Sequence, residues 1–246
     1  MSLRSMSTAF LACVLALCVP GCKDAPGMPK PWSEAPRPDQ VLDFATLYGQ
    51  NCAACHGDHG TNGGAISLAN PVYLEAAGIA NIQRVTANGV SGTMMPGFAT
   101  SSGGMLTDRQ IAALAQGMIA AWARPGEFSG QTLPAYAGSS PGVAADGQKG
   151  FATFCARCHG TDGTGVSAQR MRTGSLVEPS YLSLVSDQGL RSFIIAGQPE
   201  QGMPDWRSNL TGSGARAMSD KEITDSVAWL AAHRTAIPGR PYQKHP

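Results

Sequence analysis

The sequence predicts an all-α fold in two tandem helical domains, and three observations carry that expectation. The second half of the chain repeats the first, each half ends in an amphipathic stretch with a helix-start signal, and no alternating run longer than a few residues suggests a sheet. With 246 residues, 43% of them hydrophobic and only 14% charged, there is apolar material for two small cores and too little charge for disorder. The 30 glycines and 17 prolines suit compact units wrapped in irregular loops.

Residues 1–21 read as an export signal. Arg4 precedes the apolar run AFLACVLALCV, which falls well short of the roughly 20 residues a spanning helix needs. The following VPGC resembles a bacterial lipobox, making Cys22 a candidate lipidation site; Pro20 is atypical of that pattern, and ordinary cleavage leaving Cys22 free is the alternative. The expected protein is exported to the periplasmic side and held to the membrane by a lipid anchor. Residues 22–38 carry five prolines, a composition that favours extended polyproline II and a semi-stiff tether. Without Arg4 the chain has 17 basic and 17 acidic residues, a balance that speaks against a nucleic-acid surface.

The repeat sets the remaining boundaries: a first domain at 39–124, a linker at 125–142, a second domain at 143–235 and a tail at 236–246. YGQNCAACHGDHGT, from Tyr48 to Thr61, matches FATFCARCHGTDGT, from Phe151 to Thr164. After a variable loop, PVYL at Pro71 meets PSYL at Pro179. The halves then run without a gap through Gly89 and Gly197 to Met95 and Met203, in MPGF and MPDW.

Each half closes on a predicted helix opened by a capping box, Thr107 with Gln110 and Ser219 with Glu222, in which side chains satisfy the free backbone donors of the first turn. Apolar residues follow at Ile111, Leu114, Ala115 and Met118, and at Ile223, Val227 and Leu230, a helical period. Shorter helices are expected to enter each CxxCH, the second with a weaker signal.

Of seven cysteines, Cys13 and Cys18 lie in the signal and Cys22 at the lipobox; Cys52, Cys55, Cys155 and Cys158 remain, all in the two motifs. A shared zinc site of four thiolates would require the repeats to interleave and would leave His56 and His159 without a role. A thioredoxin-like dithiol expects neighbouring strands. C-x-x-C-H is the attachment signature of c-type haem: the sulfurs, on one helical turn, bond to the porphyrin and the histidine lies under the iron. Two haem c groups are therefore expected, on Cys52, Cys55 and His56 and on Cys155, Cys158 and His159.

A second axial ligand must come from elsewhere. His59 is too near His56 to reach the opposite face, and His233 and His245 are expected in solvent. Met95 and Met203 follow their histidines by 39 and 44 residues, enough chain to circle a haem, and the prolines after them stiffen the loop that presents the sulfur. Met94 is the rival in the first half; the gap-free register selects Met95.

CxxCH, a Met-Pro loop and a terminal amphipathic helix together resemble the class I cytochromes c, here in tandem. The resemblance covers most of the chain after the tether and implies two helical domains, each wrapped around one covalent haem. Tyr48 and Phe151, with Leu114 and Val227, would lie near the crossing of first and last helices. Its implied function is single-electron transfer between respiratory partners, a redox donor and acceptor such as a quinol-oxidising bc-type complex, an oxidase or a small carrier, without bond-making catalysis. The competing class is a dihaem peroxidase-like enzyme with one labile methionine, for which Glu200 and Asp205 beside Met203 are the available acid–base groups. Arg157, Arg170 and Arg172 are candidates for a docking face near the second haem.

Overall fold

The computed structural model describes residues 27, 35–168, 171–207 and 216–235; Cys22, His245 and Arg170 lie outside them. The described residues from Asp39 onward form one compact unit that contains both repeats. Among the described residues no helix is long and apolar enough to cross a membrane.

The first repeat opens with α1 (Phe44–Asn51), capped by the Asp43 carboxylate, which accepts from Thr46 N at 2.8 Å. It runs into the single turn α2 (Ala53–His56). Asn70 then caps α3 (Pro71–Asn88), accepting from Val72 N and Tyr73 N, with Pro71 at the start where its missing N–H costs nothing. α4 (Asp108–Trp122) opens at the Thr107–Gln110 capping box anticipated from the sequence.

The second repeat follows the same order with α5 (Ala144–Phe154) and α6 (Ala156–His159), then α7 (Pro179–Leu184), α8 (Asp187–Ala196) and α9 (Asp220–Ala231). α3 leaves helical dihedrals at Gly78 (φ 63, ψ 162), and the register puts Ser186, the cap of α8, opposite it. Both repeats therefore break at the same place. Among the described residues the strands are confined to a short antiparallel pair, β1 (Val166–Ala168) with β2 (Met171–Thr173), in the variable loop after the second CxxCH. At three residues each, these strands are too short to leave a period in the sequence.

First and last helices of each repeat meet through a small residue on one of them. A Cβ on Gly117 of α4 would stand 2.2 Å from the Phe44 ring of α1, whereas in the second repeat the small residues are on the first helix: a Cβ on Gly147 would lie 1.9 Å from the Asp225 carbonyl oxygen. Aromatic pairs seal both crossings, Tyr48 edge-on to Trp122 at 5.0 Å and Phe151 against Trp229 at 4.3 Å. Tyr48, Phe151, Leu114 and Val227 are all buried.

The larger apolar core joins the repeats. Leu47, Leu74, Ile82 and Leu114 of the first pack in one cluster with Ile195, Ala196, Met218 and Ile223 of the second. The linker is strapped to the second repeat by Arg191, only 3% exposed, which donates from Nε to Ala135 O at 3.0 Å and from Nη1 to Thr224 Oγ1 at 2.9 Å, and pairs with Asp220. Gln188 adds a 2.7 Å bond to Tyr136 O.

The second capping box has an electrostatic partner. Arg216 bonds Glu222 at 2.5 Å and, with Ser219, lowers its carboxyl pKa from 4.5 to about 2. A folded pKa below the unfolded one gives stability that is present above pH 4.5 and lost as pH falls through 2. Glu222→Gln is expected to lower the thermal midpoint at neutral pH by roughly 2–4 °C, about 1 kcal/mol after solvent screening. The difference from the parent should vanish in melts at pH 2; a difference that persists there would assign the effect to packing.

Candidate functional site

Cys52, Cys55 and His56 occupy one turn: His56 N and Cys55 N bond to Cys52 O at 3.0 and 3.2 Å. The second motif repeats this with His159 N and Cys158 N to Cys155 O at 3.0 and 3.1 Å. Both turns end on a glycine with nearly identical dihedrals, Gly57 (φ 83, ψ 155) and Gly160 (φ 78, ψ 154).

All four thiols are free. Burial pushes Cys52 up to about 11 and Cys155 up to about 12, with the neighbouring cysteine adding to each. Among the described residues no three His, Cys, Asp or Glu side chains converge on a metal site, so the two CxxC pairs do not meet as a zinc centre.

His56 is buried, and desolvation lowers its pKa, which keeps the imidazole neutral. Its Nδ1 lies 2.8 Å from Ile66 O; a carbonyl can only accept, so Nδ1 carries the proton and Nε2 keeps its lone pair. That is the tautomer and anchoring an iron-ligating histidine needs. His159 is likewise lowered by desolvation, but its buried Nδ1 has no partner among the described residues. The two extended loops differ here: after the second CxxCH, Thr173 Oγ1 donates to Cys158 O, and among the described residues no carbonyl takes the place of Ile66 O.

Met95 and Met203 sit on loops of matching construction. Val90 N donates to Met95 O at 3.0 Å, and at the equivalent position Gln198 N donates to Met203 O at 2.9 Å. Gly89 (φ 68, ψ −167) and Gly197 (φ 65, ψ −171) introduce the loops in a region of dihedral space open essentially to glycine alone. A Cβ on either would stand 2.5–2.6 Å from the Met-Pro backbone. Met95 is partly covered while Met94 is 76% exposed, which agrees with the register that selects Met95. The methionines lie on loops separate from the CxxCH turns.

The other histidines stand apart. His59 is exposed; His233, expected in solvent, is half-buried at the end of α9, its Nδ1 2.8 Å from Trp229 O. Arg157 and Arg172 are exposed. The carboxylates an enzyme would use are engaged: Glu200 accepts from Ser67 Oγ at 3.1 Å, and Asp205 pairs with Arg207 at 2.6 Å. Sequence reasoning did not single out Ser67, Asn70 or Arg191, whose partners lie far along the chain.

These residues fit haem c. Four cysteines stand in two helical turns, two neutral histidines follow them, His56 buried and His159 half-buried, and soft thioether donors sit on braced loops. The buried Trp206 Nε1, three residues past Met203, is a donor with no acceptor among the described residues, and a haem carboxylate would supply one.

A family model described as cytochrome c oxidase, cbb3-type, subunit III matches residues 39–116 and 142–230. The chain is 26% identical over 193 residues to the cbb3-type cytochrome c oxidase subunit CcoP of Cereibacter sphaeroides, covering 73% of this chain and 60% of that protein. It is 27% identical over 180 residues to the cbb3-type cytochrome c oxidase subunit FixPc of Rhizobium leguminosarum bv. viciae, covering 69% and 55%. The chain thus spans 60% or less of the length of both relatives. Among solved structures it is similar to a chain of the Kuenenia stuttgartiensis reducing HAO-like protein complex Kustc0457/Kustc0458, at 16% identity and a TM-score of 0.43 over 82% of this chain and all of that one. The family match takes in both CxxCH turns and both Met-Pro loops, and the chain belongs to that family: it is a tandem class I c-type cytochrome, an electron-transfer protein carrying covalent haem c with iron.

Proposed function

We propose that the chain carries single electrons between respiratory partners on the periplasmic side of the membrane, as a dihaem subunit of an oxidase or a quinol-oxidising assembly. Cys52 and Cys55, with His56 and Met95, would hold one haem c, and Cys155 and Cys158, with His159 and Met203, would hold the other. Bound haem c supplies a one-electron Fe(III)/Fe(II) couple, and a thioether ligand raises its potential relative to a second histidine. The chain's own work is to anchor the ligands and keep water out. Ile66 O fixes the His56 tautomer, the glycine-led loops hold both methionines, and the aromatic crossings shield the sites.

The observation that carries this reading is the matching brace at Met95 and Met203, conserved in geometry between repeats whose surrounding residues differ. Irons held by both a histidine and a methionine would leave no position open to substrate, as a carrier requires, and the engagement of Glu200 and Asp205 points the same way. The redox donor and acceptor are proposed to be subunits of an oxidase complex, by analogy with the relatives' names. Cys22 is the proposed lipid attachment point, with residues 22–38 as tether; membrane association that survives Cys22→Ser would remove the anchor from this reading.

The test is optical. A haemochrome assay on the full-length protein should give two haem c per chain, falling to one in the Cys155→Ala/Cys158→Ala variant. The oxidised protein should show the near-infrared methionine-to-iron band, and the reduced protein should not bind carbon monoxide. Carbon monoxide binding to the native reduced protein would favour the peroxidase-like alternative.

A further inference from the structure

Beside the shared apolar core, the repeats are joined by polar contacts between the two loops that flank the ligands. Ile66, whose carbonyl anchors His56, is followed by buried Ser67. The Ser67 hydroxyl lies 2.9 Å from Gly60 O within its own repeat and 3.1 Å from Glu200 Oε1 in the other. One hydroxyl hydrogen serves two acceptors, so what Glu200 does bears on how the Gly60–Ser67 loop is held.

Three residues on, Asn70 spends its Oδ1 on capping α3 and donates Nδ2 to Ala196 O at 2.9 Å; it is 3% exposed. Ala196 precedes Gly197, the glycine against which the Met203–Pro204 backbone packs. Gln198 and Met203 bond each other in both directions, at 2.9 and 3.1 Å, around the turn that contains Glu200. An unbroken series of bonds therefore runs from His56 Nδ1 through Ile66 and Ser67 to Glu200 and the Met203 loop. Glu178, the counterpart of Asn70, is exposed and caps α7 through Tyr181 N.

We propose that Glu200, acting through Ser67, and Asn70 are positioning residues that couple the histidine side of the first haem site to the methionine side of the second. The arrangement of the second site's methionine loop thereby sets the reduction equilibrium of the first iron. This rests on the two-haem reading above. Rearrangement of the Met203 loop moves Glu200 and Ala196, these move Ser67 and Asn70, and the strength of the Ile66–His56 bond follows. That bond governs how strongly the imidazole donates to the iron.

The test is a redox titration of the full-length holoprotein, with each haem followed through its own paramagnetically shifted NMR resonances. Glu200→Ala and Ser67→Ala should each change the first haem's reduction equilibrium about three- to tenfold, roughly 30–60 mV for a one-electron couple. The double variant should show the same change and not the sum. Glu200→Gln, which keeps an acceptor oxygen, should fall nearer the parent, and Asn70→Asp, which keeps the cap but loses the amide donor, should shift the same haem. Two haem c per chain with the near-infrared band intact, and a first-haem midpoint unmoved in all variants, would overturn the coupling and leave the electron-carrier reading standing. Additive shifts, or shifts confined to the second haem, overturn it equally. A haem count below two in the parent would sink both.

Discussion

Replacing His56 by alanine is expected to leave the first haem on its two thioether bonds while abolishing its low-spin spectrum. About half of the low-spin absorbance should disappear, and added imidazole should restore it in the cavity left behind. The substitution also orphans Ile66 O in a buried site, a cost of about 1–3 kcal/mol, in addition to the lost packing. His159→Ala should remove the other half of the signal with a smaller loss of stability, because its Nδ1 has no partner among the described residues to leave behind. Equal destabilisation by the two substitutions, measured by thermal melts of the holoproteins, would show that the Ile66 bond has no energetic weight. A low-spin spectrum surviving His56→Ala would remove His56 from the ligand set.

Gly197→Ala should be the most damaging small substitution in the second repeat. Its dihedrals (φ 65, ψ −171) are costly for any residue with a Cβ, by about 1–3 kcal/mol, and that Cβ would stand 2.6 Å from Met203 O and Pro204 C. A combined penalty near 3 kcal/mol lowers the midpoint by roughly 6–12 °C for a unit of this size. The Met203 loop must shift to relieve the contact, so the near-infrared band of that haem should weaken while its covalent attachment persists. Gly202→Ala is the control: its φ of 79 and ψ of 10 are left-handed but its surroundings are open, and it should cost about 1–2 kcal/mol and leave the band alone. A Gly197→Ala protein that melts and absorbs like the Gly202→Ala protein would show that the close approach of the loop does not matter.

What the sequence reveals here is local chemistry at fixed spacing. The capping boxes at Thr107 and Ser219, the turns at Cys52 and Cys155 and the shared register of Gly89 with Gly197 each depend on neighbours a few residues away, so they can be read from one strand of text. Arg191 could not be read in this way. In DQGLRSFIIA it has the look of a solvated helix arginine, yet the linker folds over it and supplies carbonyls from 55 and 56 residues away. Glu200 was legible as a carboxylate beside Met203, but its partner Ser67 is 133 residues distant, and only the packing of the repeats turns an apparent acid–base group into a structural one. The hairpin at Val166–Thr173 escaped for a different reason, since three paired residues leave no period to detect.

The shared core has a consequence for biosynthesis. Ile195, Ala196, Met218 and Ile223 complete the cluster that surrounds Leu47, Leu74 and Leu114, so the first repeat remains short of part of its interior until the last helix has been made. In a chain exported from its amino terminus, as proposed above, Cys52 and Cys55 would cross the membrane before Ile223, while the core around them still lacks its last helix.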